Sequence, residues 1–139
     1  LCESKYGDYL MKIYRCNLCG NMMVVMDDGG VNPVCCNTTM ELLVPRNEDS
    51  LLEKHVPVVK VDWEKVWVSV PHVSEANHYI EAIVLETDKG TYIKYFKPGD
   101  RPVAEFVLEK DEEVVACYEY CNIHRLFMKD LTNEKKQDC

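Results

Sequence analysis

Four cysteines near the start of the chain have the spacing of a metal site. Cys16 and Cys19 form a Cys-x2-Cys turn, and the adjacent pair Cys35-Cys36 follows after fifteen residues. Such a turn points two thiolates at one ion, and the chain then returns to supply two more. Adjacent cysteines rarely pair with each other, because the ring that their disulfide closes is strained. The spacing therefore predicts a sulfur-only tetrahedral site, which suits both iron and zinc.

Four histidines and one further cysteine form a second candidate group. His55, His72, His78 and His124 are the only histidines of the sequence. Five residues separate His72 from His78, a spacing typical of a loop, and Cys121-x2-His124 closes the last predicted strand. A single histidine is more often a surface or hydrogen-bonded residue than a ligand. Taken together, the five are compatible with a nitrogen-rich metal site that has one thiolate.

The elements that must position these residues are strands. After a polar stretch, residues 65–70 alternate with valines on one face, and residues 79–87 are β-branched and aromatic-rich. Residues 91–97 run into the chain breaker Pro98-Gly99-Asp100-Arg101-Pro102, and residues 103–109 and 113–120 complete the series. Strands at this spacing, without long helical patterns, predict a mainly β protein with an immunoglobulin-like antiparallel β-sandwich.

The chain divides into regions of different composition. We predict an N-terminal extension without fixed structure, a four-cysteine domain, a polar linker, a β-sandwich domain and a polar tail, at residues 1–10, 11–45, 46–54, 55–130 and 131–139.

Composition limits the function classes. The 139 residues include 24 acidic and 16 basic side chains, a net charge of −8, which argues against non-specific nucleic-acid binding. No apolar run approaches the roughly 20 residues of a membrane-spanning helix. Eight cysteines indicate either disulfides in a secreted protein or metal and redox chemistry in a cytosolic one.

Five motifs in order resemble the desulfoferrodoxin family over about residues 11–126. They are Cys-x2-Cys…Cys-Cys, Glu-Lys-His-Val-Pro, His-x5-His-Tyr-Ile, Lys-Pro-Gly-Asp and Tyr-Cys-Asn-x-His. The resemblance implies a desulforedoxin-like domain of rubredoxin type, in which Cys16, Cys19, Cys35 and Cys36 hold one iron. It also implies a second, catalytic iron with equatorial ligands His55, His72, His78 and His124 and axial ligand Cys121. The sixth position, opposite the sulfur, would be open to substrate.

The activity that the resemblance implies is superoxide reduction. Superoxide takes up one electron from Fe(II) and two protons to give hydrogen peroxide. Neutral imidazoles would keep the ferrous site cationic and attractive to an anion. The trans thiolate would donate electron density to the iron and favour product release.

Two residues next to the first histidine acquire roles from the same resemblance. Lys54 would supply a positive charge that guides superoxide and orients a proton-delivering water. Glu53 would ligate the ferric iron after turnover and help to displace peroxide. The backbone N–H groups of Ile123 and His124 are candidates to hydrogen-bond the sulfur of Cys121.

The sequence departs from the family pattern at a few positions. Asn37 follows the cysteine pair where the family commonly has glycine, but asparagine also tolerates a left-handed backbone. Val73, and not proline, follows His72. Cys2, Cys117 and Cys139 match no ligand position, so we expect a core role for Cys117 and free terminal thiols for the other two. Trp63 and Trp67 are expected to pack in the core or across strands.

The resemblance also implies partners and a setting. It predicts a cytoplasmic homodimer that detoxifies superoxide in an anaerobe or microaerophile, with a rubredoxin-like donor re-reducing the catalytic iron. One alternative is an electron-transfer or metal-binding module without catalysis. Another is a disulfide-stapled immunoglobulin-like binding domain.

Overall fold

The computed structural model describes residues 11–48 and 54–132. Within these residues the chain forms twelve β-strands and no helix. The described residues therefore contain no helix that could cross a membrane. The predictions for residues 1–10, Glu53, Cys2 and Cys139 lie outside the described residues. The chain separates into two compact units, with the boundary between Val44 and Pro45.

The first unit is built from short strands around very few buried side chains. Its strands are β1 (Ile13–Arg15), β2 (Met22–Val24), β3 (Val34–Cys35), β4 (Thr38–Thr39) and β5 (Glu41–Leu42). They form a three-stranded sheet in the order β2-β1-β5 and a separate hairpin, β3-β4. The buried cluster consists of Tyr14, Cys16 and Met40, with Val25 and Cys35 packed against it. Domains of about 40 residues or fewer usually need disulfides, metals or oligomerisation for stability, so a metal suits this unit.

The second unit contains two antiparallel sheets. One sheet has the order β10-β7-β6 and the other β12-β11-β8-β9. The strands are β6 (Val58–Asp62), β7 (Lys65–Ser69), β8 (Ile80–Thr87), β9 (Thr91–Tyr95), β10 (Val103–Val107), β11 (Val114–Cys121) and β12 (Arg125–Asp130).

The two sheets share one core, which makes the unit a sandwich. Along β7, Val66 and Val68 are buried while their neighbours are more exposed, as expected of a strand with one face in a core. They belong to the same buried cluster as Ile83 and Leu85 of β8 and Cys117 of β11. The all-β class and the antiparallel sandwich are therefore confirmed, as is the core position of Cys117.

The five strands located from sequence correspond to β7 through β11, with ends shifted by at most two residues. The prediction for Trp63 was wrong. Its side chain is 87% exposed, and its φ is +56°. Trp63 lies in the hairpin turn between β6 and β7, and its ring therefore faces the solvent. Trp67, by contrast, lies within β7, opposite Lys60 of β6 and Glu105 of β10.

Candidate metal centres

The four cysteines of the first unit converge. Their sulfur atoms all lie within 4.8 Å of one another, and we call Cys16, Cys19, Cys35 and Cys36 the four-cysteine group. The Cys19–Cys35 and Cys35–Cys36 sulfur separations are 3.6 and 3.9 Å. These are far longer than the roughly 2 Å of a disulfide bond. Sulfurs at about 2.3 Å from a tetrahedral metal would lie about 3.8 Å apart, so the group fits such an ion.

A tight hairpin explains how two consecutive cysteines reach one point. Cys35 ends β3, and Cys36 and Asn37 form the two-residue loop before β4. Both loop residues have a left-handed backbone, with φ of 55° and 59°. Two positive φ values are the mark of a type I′ turn, whose twist matches that of the flanking strands. The expectation that Asn37 accepts a left-handed backbone is confirmed.

The Cys-x2-Cys turn between β1 and β2 surrounds its sulfurs with backbone donors. Gly20, with φ of +83°, donates its N–H to the Cys16 carbonyl at 2.8 Å and closes the turn. The N–H of Cys19 points at the Cys16 sulfur at 3.5 Å, and the N–H of Asn21 at the Cys19 sulfur at 3.4 Å. Donors aimed at sulfur stabilise the thiolate, which is the form that binds a metal.

Close packing separates the pKa values of two of these thiols. Hydrogen bonds from the N–H groups of Cys19 and Leu18 lower the pKa of Cys16 to about 6. Hydrogen bonding to the side chains of Cys19 and Cys16 raises the pKa of Cys35 to about 12. Four sulfurs this close cannot all be thiolates near neutral pH unless a positive ion neutralises them.

The second candidate group also converges. We call His55, His72, His78, Cys121 and His124 the histidine–cysteine group; their ligand atoms lie within 4.8 Å of one another. The four imidazoles form a closed cycle. Ring centres are 4.6 Å apart for His55–His72, 4.5 Å for His72–His78, 5.1 Å for His78–His124 and 4.8 Å for His124–His55.

This cycle has the dimensions of a square of metal-bound imidazoles. Four rings that each place one nitrogen about 2.1 Å from a common ion would have neighbouring centres about 4.6 Å apart. The sulfur of Cys121 completes the set, at 3.6 Å from Nε2 of His72 and 3.8 Å from Nδ1 of His124. Four nitrogens and one thiolate are donors that iron accepts well.

The five residues come from different segments of the second unit. His55 lies just before β6, and both His72 and His78 lie in the loop between β7 and β8. Cys121 is the last residue of β11, and His124 lies in the turn that leads to β12. Cys121 pairs with Ile80 at the start of β8, so the sheet register brings the end of β11 beside the loop that carries His78.

Backbone groups orient two of the ligands. Nδ1 of His72 lies 2.7 Å from the Val73 carbonyl, which can only accept, so Nδ1 carries the proton and Nε2 keeps its lone pair. The N–H of His124 points at the sulfur of Cys121 at 3.4 Å. This is the bond predicted from sequence for His124, whereas the corresponding bond from Ile123 stays a prediction.

Comparison with known proteins now identifies the family. Residues 47–130 match the family model for desulfoferrodoxin, and residues 10–43 match that for the desulfoferrodoxin N-terminal domain. The chain belongs to the desulfoferrodoxin family. It is 44% identical to a desulfoferrodoxin homolog of Methanothermobacter thermautotrophicus over 119 residues, which is 84% of this chain and 95% of that protein. It is also 44% identical to a desulfoferrodoxin of Nitratidesulfovibrio vulgaris, over 81% of this chain and 90% of that one.

The chain is also similar to a solved structure over most of the length of both proteins. The superoxide reductase of Treponema pallidum aligns with a TM-score of 0.76 and 26% identity, covering 87% of this chain and 98% of that one. Membership of the desulfoferrodoxin family and the two ligand groups together are consistent with two iron centres.

Asn122 joins the segments that carry His78 and Cys121. Its side-chain oxygen accepts from the N–H of Tyr79 at 2.9 Å, and its side-chain nitrogen donates to the carbonyl of Asn77 at 3.0 Å. Its backbone N–H donates to the carbonyl of Tyr79 at 3.2 Å. Sequence reasoning gave Asn122 no role, although its place in the Tyr-Cys-Asn-x-His motif was a signal.

The Lys-Pro-Gly-Asp motif also supports the loop that carries His72 and His78. Lys97 and Asp100 close a turn: the N–H of Asp100 donates to the Lys97 carbonyl, and the N–H of Lys97 to the Asp100 carboxylate. The turn puts Gly99 at φ of +95°. The N–H of Gly99 then donates to the hydroxyl of Ser74 at 2.8 Å, which ties the turn to the loop between His72 and His78.

Phe127 and Lys54 are neighbours of His55 in the histidine–cysteine group: Phe127 contacts its ring, and Lys54 precedes it in the chain. Phe127 of β12 stacks on His55, with ring centres 4.4 Å apart and planes 12° from parallel. His55 is almost fully buried, whereas Lys54 beside it is exposed. Phe127 was not singled out from sequence, because an apolar residue in a strand carries no distinctive signal.

Cys117 belongs to neither ligand group, and burial raises the pKa of its thiol.

Proposed function

We propose that this protein is a superoxide reductase, which converts superoxide to hydrogen peroxide by one-electron reduction at a non-haem iron. The observation that carries the proposal is the closed cycle of four imidazoles with the Cys121 sulfur beside it. Family membership and the similarity to a superoxide reductase structure support it. In this proposal His55, His72, His78, His124 and Cys121 are the ligands of the catalytic iron.

Iron bound here would supply the electron and a Lewis-acidic position for the substrate. The four imidazoles are neutral ligands, so they leave the ion's positive charge largely uncompensated and favour the approach of an anion. The Cys121 thiolate would donate electron density to a bound iron, and the N–H of His124, aimed at its sulfur, would moderate that donation. In balance, superoxide takes up one electron and two protons and leaves as hydrogen peroxide.

Lys54 is the proposed guide for the substrate. It immediately precedes His55 and is exposed, so its ammonium group is on the solvent side of the chain next to a buried ligand. A cation in that position attracts superoxide and can orient a water molecule that delivers protons. Glu53, for which we propose ligation of the ferric iron after turnover, lies outside the described residues.

We propose iron, held by Cys16, Cys19, Cys35 and Cys36, for the four-cysteine group as well. The sulfur separations support a bound cation. The family match to the N-terminal domain supports iron over zinc, although a sulfur tetrahedron accepts both.

The physiological setting is also part of the proposal. We propose a cytoplasmic homodimer that takes electrons from a rubredoxin-like donor and removes superoxide in an anaerobe or microaerophile. None of the described cysteines forms a disulfide, as suits a reducing compartment. Size-exclusion chromatography with light scattering tests the dimer, and anaerobic reduction by purified rubredoxin tests the donor.

A stoichiometric assay tests the activity. The iron-loaded protein is given a measured flux of superoxide and a rubredoxin-coupled electron supply, and hydrogen peroxide is counted. A reductase forms one peroxide for each superoxide, whereas a dismutase forms one for every two. The dismutase ratio, or no consumption at all by protein with both sites loaded, would overturn the proposal.

A further inference from the structure

Arg46 approaches the histidine–cysteine group from outside the ligand set. It forms an isolated parallel bridge with Phe127 of β12. Its N–H donates to the Leu126 carbonyl at 3.1 Å, and its carbonyl accepts from the N–H of Met128 at 2.8 Å. The backbone of Arg46, the first residue of the predicted linker, is therefore fixed beside β12.

The side chain of Arg46 then makes two contacts. Its guanidinium donates a hydrogen bond to the backbone carbonyl of His124. The central carbon of the guanidinium also lies 4.6 Å from the centre of the Phe127 ring. One exposed cation thus engages the backbone of one candidate ligand and an aromatic ring that touches another.

Phe127 transmits the contact to His55. The His55 ring lies nearly parallel to it at 4.4 Å. The guanidinium of Arg46 and the imidazole of His55 thus both pack against the ring of Phe127. We call these three residues, Arg46, Phe127 and His55, the arginine stack.

We propose that Arg46 is a positioning residue for the histidine–cysteine group, holding the imidazoles of His55 and His124 at their mutual angle. These two rings are neighbours in the imidazole cycle, with centres 4.8 Å apart and planes at 71°. His55 is held through the arginine stack and His124 through its carbonyl. Ligands fixed in this way lose less freedom when they bind an ion, and the bound ion dissociates more slowly.

The chemistry of arginine suits this role better than that of lysine. A planar guanidinium can lie flat on an aromatic face and donate in its own plane at the same time. A lysine ammonium carries the same charge, but it has no plane to stack and a stronger hydration shell. The proposal therefore separates two contributions of Arg46, its shape and its charge.

Three variants of the full-length protein test the proposal. Arg46→Met keeps an apolar stem but removes both the charge and the donor, and Arg46→Lys keeps the charge. Lys110→Met is the control: it removes one positive charge from the turn before β11, at the far end of that strand from Cys121. Each protein is loaded with iron at both sites, and melting temperatures show that it is folded.

The readouts are iron release to a chelator, the thiolate-to-iron charge-transfer band and the reduction potential. In Arg46→Met we expect iron release from the histidine–cysteine group to accelerate roughly tenfold, with a shifted band. Loss of a nearby positive charge also disfavours the ferrous state and lowers the potential. Arg46→Lys is expected to restore the potential but not the slow release. Release from the four-cysteine group, measured in the same molecules, stays unchanged.

Two results would overturn the proposal. One is that Arg46→Met releases iron at the same rate as Lys110→Met and has the same charge-transfer band. The other is full rescue of release by Arg46→Lys, which would reduce the role of Arg46 to charge. The inference rests on the proposed metal at this site but uses no superoxide, so it can fail or hold independently of the reductase assay. If Arg46→Met does not fold, Arg46→Lys alone still decides between shape and charge.

Discussion

Nε2 of His72 lies 3.6 Å from the sulfur of Cys121, although the two residues are 49 positions apart in the chain. The protonated Nδ1 of the same ring faces the Val73 carbonyl at 2.7 Å. The ring is therefore held with Nε2 on the side of the sulfur and Nδ1 on the side of the Val73 carbonyl. This relationship is the local reason why a thiolate and a nitrogen meet at one point in the second unit.

Replacement of Cys121 by serine removes the only sulfur of this group. We expect Cys121→Ser to abolish superoxide reduction and the thiolate-to-iron charge-transfer band, because an alcohol donates far less electron density than a thiolate. His124→Ala should abolish activity as well. Absorbance spectra and rapid superoxide kinetics measure both effects. Cys16→Ser, the matched control in the other unit, should keep much of the activity; full activity in Cys121→Ser would rule out the proposed role of the Cys121 thiolate.

Asn122 offers a graded test of how the ligand loop is held. Asn122→Ala loses both side-chain hydrogen bonds, whereas Asn122→Asp keeps an acceptor for the N–H of Tyr79 and loses the donor to Asn77. Leaving these backbone groups without partners costs about 1–3 kcal/mol of stability. We expect the free energy of unfolding to fall in the order wild type, Asp, Ala, with catalytic iron content falling in parallel. Equal stability and iron content in all three proteins would contradict the assigned role.

The turn after Cys36 makes a prediction about backbone conformation. Asn37→Gly should be neutral or slightly stabilising, since glycine adopts the required positive φ freely. Asn37→Val should destabilise the first unit by roughly 1–2 kcal/mol, because a β-branched residue is strained there. Iron retention by the four-cysteine group during urea titration measures both. A valine variant that binds iron as tightly as wild type would show that the hairpin turn does not position Cys36.

Acid stability tests a carboxylate that belongs to neither ligand group. Burial alone would raise the pKa of Glu112, but hydrogen bonds from Thr87, the N–H of Glu109 and Tyr92 outweigh it and lower the pKa. A lowered pKa means that ionised Glu112 stabilises the fold above its unfolded value of about 4.3. This contribution is lost as the pH falls through the folded value. We expect Glu112→Gln to be less stable at pH 7 and less sensitive to acid below pH ~4, as measured by thermal melting across pH. Glu113→Gln, with an exposed side chain, is the control; a parallel pH profile for both variants would contradict the prediction.

Residue type and spacing were sufficient to predict the two groups that converge, and the family resemblance added the prediction that they are iron ligands. Cysteine and histidine are uncommon, and their chemistry limits what a close cluster can do, so the two groups and the strand pattern of β7 through β11 could be predicted. The contacts that support the candidate ligands could not be predicted from the sequence. Arg46, Ser74 and Asn122 have side chains that serve equally well in solvent, and only the folded register of the sheets determines which backbone groups they meet. Trp63 shows the opposite failure, because a large apolar ring predicts burial and hairpin geometry places it in water.

The imidazole cycle also has a consequence for the unfolding of the second unit. His55 precedes its first strand, and His124 leads into its last. An ion bound to both ties together most of that unit's length, as a covalent cross-link would, and so removes chain entropy from the unfolded state. Loss of iron would then do more than stop turnover: it would release a long closed loop and expose the protein to proteases that act on transiently opened chains.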